Sequence, residues 1–240
     1  MLKLEDLKIA IYADGADIDG MMEQRKKPYI KGFTTNPTLM KKAGVKDYFA
    51  FAGEALKYIR DVPVSFEVFG DDLVTMEKEA RKLSSLAENV YVKIPVMNSK
   101  KQPTYELVRK LSEDGIHLNV TAVFTQEQVK SVVDALSGEV ESIVSVFAGR
   151  IADAGIDARE HMKKAAEICH SKKNTLLLWA SSREVYNMIE AQESGADIIT
   201  VTNDLINKAD KSLGTDLFEY SHDTVEMFLN DGKALGFSIL

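Results

Sequence analysis

The chain has 240 residues, 45% hydrophobic and 28% charged, with 30 Lys+Arg against 37 Asp+Glu, a net charge of −7 and a single cysteine. One cysteine forms no internal disulfide, no run reaches the roughly 18 consecutive apolar residues of a membrane span, and an acidic balance without a long Lys/Arg run argues against a nucleic-acid surface. These features describe a cytoplasmic α/β protein, read as one domain over residues 1–240, and they still allow a local basic pocket for an anionic metabolite.

The opening residues, Met1 to Asp6, alternate apolar and charged and do not read as a signal peptide. Eight short apolar runs then read as strands. They are Ile9–Ala13, Gly32–Thr34, Val64–Val68, Val90–Ile94, His117–Val120, Ile143–Val146, Thr175–Trp179 and Ile198–Val201. Several are β-branched and nearly continuous, the pattern of strands covered on both faces. Helical stripes lie between most of them: Tyr48 to Ile59, Leu73 to Leu83, Val129 to Leu136, Met162 to Cys169 and Val185 to Ile189. Asn36-Pro37 reads as an N-cap with proline at the first helical position, and Thr125 to Gln128 as a capping box. The polar stretch Asn98 to Pro103 reads as a loop.

Strand–helix alternation implies a parallel sheet. Eight strands at a spacing of roughly 27 residues, in a chain near the usual length of about 250, predict a closed (β/α)₈ (TIM) barrel. The alternative is an open doubly wound sheet, but the chain has no G-x-G-x-x-G turn and no P-loop. In such a barrel the chemistry sits at the C-terminal strand ends.

The residues at those ends, in chain order, are Asp14; Thr35 and Asn36; Glu67; Lys93; Asn119 and Thr121; Ser145 and then Arg150; Ser181 and Arg183; Thr202 and Asn203. Lys93 is the sharpest signal, a cation inside Val90-Tyr91-Val92-Lys93-Ile94-Pro95. An ammonium there loses hydration, and only a neutral amine attacks a carbonyl. The competing reading is a packed stem whose head reaches water. Glu67, inside Val64-Ser65-Phe66-Glu67-Val68-Phe69, suits proton transfer or a structural pairing with a lysine. Asp17 is the better cap for a helix at Ile18–Glu23, which leaves Asp14 for the pocket. Arg150 and Arg183 follow the sixth and seventh strands, where barrels often hold phosphate; their other reading is surface ion pairing. His117, His161, His170 and His222 fall in no metal-ligand spacing, and Cys169 lies on an apolar stripe. Gly70-Asp71-Asp72 reads as a strand end and helix cap.

With these residues in place, the sequence resembles the transaldolases, of the short type that includes the fructose-6-phosphate aldolases. The resemblance runs through the barrel. It rests on Tyr12-Ala13-Asp14-Gly15-Ala16-Asp17, Phe33-Thr34-Thr35-Asn36-Pro37-Thr38, Val90-Tyr91-Val92-Lys93-Ile94-Pro95, Leu118-Asn119-Val120-Thr121, Ser145-Val146-Phe147-Ala148-Gly149-Arg150-Ile151 and Ala180-Ser181-Ser182-Arg183. It implies that Lys93 forms a Schiff base with a ketose phosphate, that Asp14 is the general acid/base of C–C cleavage, and that Glu67 shuttles protons with a water held by Thr121. It places Asn36 and Asn119 on the dihydroxyacetone hydroxyls with Ser145 nearby, groups Thr35, Phe147 and Ser181 with the substrate-binding residues, and makes Arg150 and Arg183 the phosphate clamp. The protonated imine serves as the electron sink, so no metal and no organic cofactor is expected.

Glu67 and Phe147 resemble the transaldolase branch, where the aldolase branch carries Gln and Tyr. Transfer of dihydroxyacetone is therefore expected over its release. A sugar-phosphate-binding barrel without catalysis is a third reading, opposed by the intact Asp14, Glu67 and Lys93. Ser182, Gly15 and Trp179 depart from the family pattern and bear on the acceptor. The segment Asp216 to Leu240, with Phe218, Val225, Met227 and Phe228, reads as an extra C-terminal helix. The resemblance implies that it packs on a neighbouring subunit in a ring-shaped homo-oligomer, a pentamer or decamer; the other reading is packing on its own barrel. The expected partners are sugar phosphates, with no nucleic acid and no membrane.

Overall fold

A strand covered on both faces must be apolar outward, and it varies only where it points into the barrel. The computed structural model describes residues 2–236. In it the eight strands are β1 (Ala10–Asp14), β2 (Ile30–Thr34), β3 (Val64–Glu67), β4 (Val90–Pro95), β5 (Leu118–Val123), β6 (Ser142–Val146), β7 (Thr175–Trp179) and β8 (Ile198–Thr202). They pair in parallel, in sequence order, and β8 returns to β1, so the expected closed barrel with intervening helices is the fold.

Outward residues such as Ile11, Phe33, Phe66, Val92, Val120, Val144, Leu177 and Ile199 form the main core beneath the helices. Each fully buried aliphatic or aromatic side chain of this kind contributes about 1.5–3 kcal/mol. The helices meet it with the expected stripes, among them Phe51, Ala52, Ala55 and Leu56 on Tyr48–Tyr58, and Met162, Ala165, Ala166 and Cys169 on Ala158–His170. Burial pushes the Cys169 thiol up to about 12, as suits an inert core cysteine. Inside the barrel, Tyr12, Tyr91, Ile143, Leu178, Ala180 and Ile198 form a second, smaller cluster. Gly32 is required there: a Cβ would stand 2.6 Å from the Tyr12 ring that fills the centre.

The expected caps form. Asp17 accepts from the Gly20 amide at 2.8 Å, Asn36 from the Leu39 amide at 3.0 Å, and Thr125 and Gln128 close their box. The strands differ from expectation mainly at their ends. β5 continues past Val120 because Ala122, at φ +57°, forms a bulge that adds one residue against β6 and keeps pairing at Val123↔Val146. Val185 lies in the turn before the helix Asn187–Glu193 rather than on it. Helices Tyr105–Glu113, Ala148–Asp153 and Asn203–Ser212 were not marked by a stripe in the sequence; Thr104 and Phe147 make no side-chain cap at the first two.

The expected C-terminal helix is Leu217–Leu235, capped by Asp216. None of its residues is buried, so it does not pack on its own barrel. Residues 237–240 of the expected segment lie outside the described residues. Among the described residues no helix is long and apolar enough to cross a membrane.

Candidate active site

Four strands that place an apolar or aromatic residue at the lower level of the barrel place a polar one two positions later, nearer the C-terminal end. Asp14 follows Tyr12, Lys93 follows Tyr91, Ser145 follows Ile143 and Thr200 follows Ile198. With Glu67, Asn119 and Thr121 they line a cavity of about 410 Å³ at the C-terminal mouth, a volume suited to a small metabolite. A wider groove of about 670 Å³ opens at the opposite rim beside Arg60, Asn89 and His117, and none of the acid–base side chains of the mouth reaches it.

Lys93 is the centre of the site. The residue is 7% exposed, and register sets it directly between Glu67 on β3 and Asn119 on β5. Its Nζ lies 3.2 Å from Glu67 Oε2 and donates to the Thr35 carbonyl at 2.8 Å. The head is therefore held inside the barrel, not in solvent, and a carboxylate stands within proton-transfer reach. Tyr48 fixes the Glu67 backbone by donating to its carbonyl at 2.8 Å.

Asp14 enters from β1. Thr34 donates to its Oδ1 at 2.8 Å and Asn36 Nδ2 approaches its Oδ2 at 3.4 Å. Burial pushes the Asp14 carboxyl above its usual range, opposed chiefly by the Lys93 cation and by the Thr34 hydrogen bond. A carboxyl raised in this way is a better proton acceptor than an exposed one. On the facing wall Asn119 Nδ2 donates to Ser65 at 3.0 Å and accepts from Ser145 at 2.6 Å, which orients its amide. Thr121 lines the cavity beside them.

The rim is basic. Arg150 lies over the Phe147 ring at 5.4 Å and has no carboxylate partner among the described residues. Arg183 also lines the cavity, but its guanidinium is paired with Asp153 at 2.5 Å, the ion pair that its second reading expects. Ser181, at φ +66°, aims its carbonyl at the helix Ala148–Asp153. Only glycine fits opposite, since a Cβ on Gly149 would sit 1.7 Å from that oxygen. This close approach ties the two arginine-bearing segments together.

The cavity thus gathers every singled-out strand-end and substrate-binding residue except Thr35 and Asn203. Thr35 is fully buried and its hydroxyl donates to the Ser65 carbonyl at 2.9 Å; its neighbour Thr34 takes the inward place. Of the three departures, Ser182 alone lines the cavity. Trp179 points outward into the main core and Gly15 faces Asn203, so neither lines the cavity. Thr202, read from the sequence as a strand-end residue, lines the cavity, and so do Thr34 and Thr200, which were not picked out; the alternation of inward positions along β2 and β8 is the signal that marks them. His222, Asp223 and Glu226 bring ligand-type atoms within 4.8 Å of one another, but they lie exposed on Leu217–Leu235, outside the cavity.

Comparison with known proteins agrees with this geometry. The family profile described as transaldolase/fructose-6-phosphate aldolase matches residues 11–239. A probable transaldolase of Methanococcus maripaludis is 34% identical over 224 residues, covering 93% of this chain and 97% of its own. One of Erythrobacter litoralis is 34% identical over 230 residues, covering 95% and 99%. Among solved structures, a thiamine phosphate pyrophosphorylase of Pyrococcus furiosus superposes with a TM-score of 0.56 at 11% identity, covering 85% of this chain and 93% of that one. The tryptophan synthase A-subunit of the same organism gives 0.57 at 12%, with the same coverage. These two are alike in fold alone.

Proposed function

The chain belongs to the transaldolase/fructose-6-phosphate aldolase family, and from that premise we propose that it is a transaldolase. It would move a dihydroxyacetone unit from a ketose phosphate, such as fructose 6-phosphate or sedoheptulose 7-phosphate, to an aldose phosphate. The observation that carries this reading is the buried Lys93 amine 3.2 Å from Glu67, with Asp14 in the same cavity.

The steps follow from those positions. Glu67 takes a proton from the Lys93 ammonium, and the freed amine attacks the ketose carbonyl. Glu67 then returns the proton to the carbinolamine hydroxyl, which leaves as water and gives the protonated imine; Thr121 holds a water on this route. Asp14 takes the proton of the hydroxyl on the far carbon of the bond to be cut, the carbon that becomes the aldehyde. That C–C bond breaks, its electrons pass into the imine to form an enamine, and the aldose departs. An acceptor aldehyde reverses these steps, with Asp14 returning the proton. Asn36, Asn119 and Ser145 hold the hydroxyls of the retained unit, and Arg150 and Arg183 hold the phosphate. The imine supplies the electron sink, so this reading calls for no metal or organic cofactor.

Glu67 and Phe147 favour transfer over release. The test is cleavage of fructose 6-phosphate with and without erythrose 4-phosphate. A transaldolase turns over only with the acceptor; cleavage indifferent to acceptor would make the protein an aldolase that releases dihydroxyacetone. We also propose a homo-oligomer joined through Leu217–Leu235, whose Phe218 and Phe228 are 80% and 63% exposed. Sedimentation that finds only monomer would refute it.

A further inference from the structure

Beyond the residues assigned above, the geometry points to Thr200 as a positioning residue that acts through Thr34 to hold the Asp14 carboxylate ready for the substrate hydroxyl. Thr34 has one hydroxyl proton and donates it to Asp14 Oδ1 at 2.8 Å. Thr34 Oγ1 is also hydrogen-bonded to Thr200 Oγ1. Because the Thr34 proton is already spent, Thr200 must be the donor of that second bond. Both hydroxyls are buried, at 3% and 8% residue exposure, and among the described residues Thr200 Oγ1 bonds nothing else. The sense of the chain, Thr200 to Thr34 to Asp14, is thus fixed from both ends: Thr200 needs an acceptor and the carboxylate needs a donor.

The backbone holds this chain in place. Register pairs Thr200 with Tyr12 and Thr202 with Asp14 where β8 meets β1, and Ser182 Oγ donates to the Thr200 carbonyl at 2.8 Å. Serial hydroxyl bonds polarise one another, so the Thr200 donation strengthens the bond Thr34 gives to Asp14. With Asn36 Nδ2 at the other oxygen, the carboxylate is contacted from both sides where it lines the cavity. The charged groups that act on Asp14 across the cavity are Lys93 on β4 and Glu67 on β3, and neither touches Thr200.

The inference rests on Asp14 as the acid/base of bond cleavage, and the test separates the two claims. Thr200→Val keeps the shape and removes the hydroxyl; Thr200→Ser restores it. In carbon-13 titration of labelled aspartates, with Asp14→Asn giving the assignment, Thr200→Val should move the Asp14 midpoint up by about half a pH unit. Its kcat for cleavage should fall about 3–10-fold with KM unchanged, and Thr200→Ser should recover both. Borohydride should still trap donor on Lys93 in Thr200→Val. An unmoved Asp14 midpoint, or a serine variant as slow as the valine one, would overturn the role of Thr200. Absence of the Lys93 adduct in the wild type would sink the Schiff-base reading instead, while the carboxyl titration still decides the coupling of Thr200 to Asp14.

Discussion

The barrel interior has two levels built from residues only two positions apart on the same strands. The lower level holds Tyr12, Tyr91, Ile143 and Ile198; the upper holds Asp14, Lys93, Ser145 and Thr200. Below, a ring fills the axis and a glycine makes room for it. Above, no side chain of comparable bulk closes the axis, and ionisable groups converge on the space left. The lower level excludes water and gives a rigid floor. The upper level keeps a buried ammonium and a buried carboxyl, an arrangement that costs stability. Changes below should therefore act on folding, and changes above on chemistry.

The largest effect is expected at Asp14. Asp14→Asn should lower cleavage at least about 100-fold, the scale of losing a general acid/base. It should also raise Tm at neutral pH. The folded state lifts this carboxyl above its ordinary 3.8, so the folded protein holds the proton more tightly than the unfolded chain does. Its contribution is most favourable below 3.8 and is lost as pH rises through the lifted value. The gain in Tm should accordingly vanish near pH 3, and a variant less stable than wild type at pH 7 would break the division between the levels.

A smaller effect, of the opposite kind, is expected at Gly32. Gly32→Ala pushes a methyl against the Tyr12 ring and should cost about 1–3 kcal/mol in urea unfolding, as overpacked cores do, with activity per folded molecule kept. Smallest is Tyr91→Phe, which removes the bond from the Tyr91 hydroxyl to Glu141 Oε1 at 2.6 Å. It should cost about 1 kcal/mol and leave kcat unchanged although Tyr91 is two residues from Lys93. A large fall in kcat there would mean that the floor is part of the chemistry.

The barrel was legible because strands buried on both faces read as short apolar runs, and Lys93 and Glu67 because a charge inside such a run stands out. Thr34 and Thr35 show where this ends. They are adjacent and chemically identical, and only the register of β2 decides which one faces the cavity. Thr200 was hidden for a related reason: threonine is an ordinary strand former, and its role appears only when β8 closes onto β1. Trp179 is a further case: bulk at a strand end says nothing of the side it faces, and its ring packs in the main core. The pairing of Arg183 with Asp153 joins segments 30 residues apart and has no local signature.

The account turns on one covalent bond. Incubation with fructose 6-phosphate and borohydride, followed by peptide mapping, should find the reduced donor on Lys93 and on no other lysine. An unmodified Lys93, or an adduct elsewhere, would contradict it.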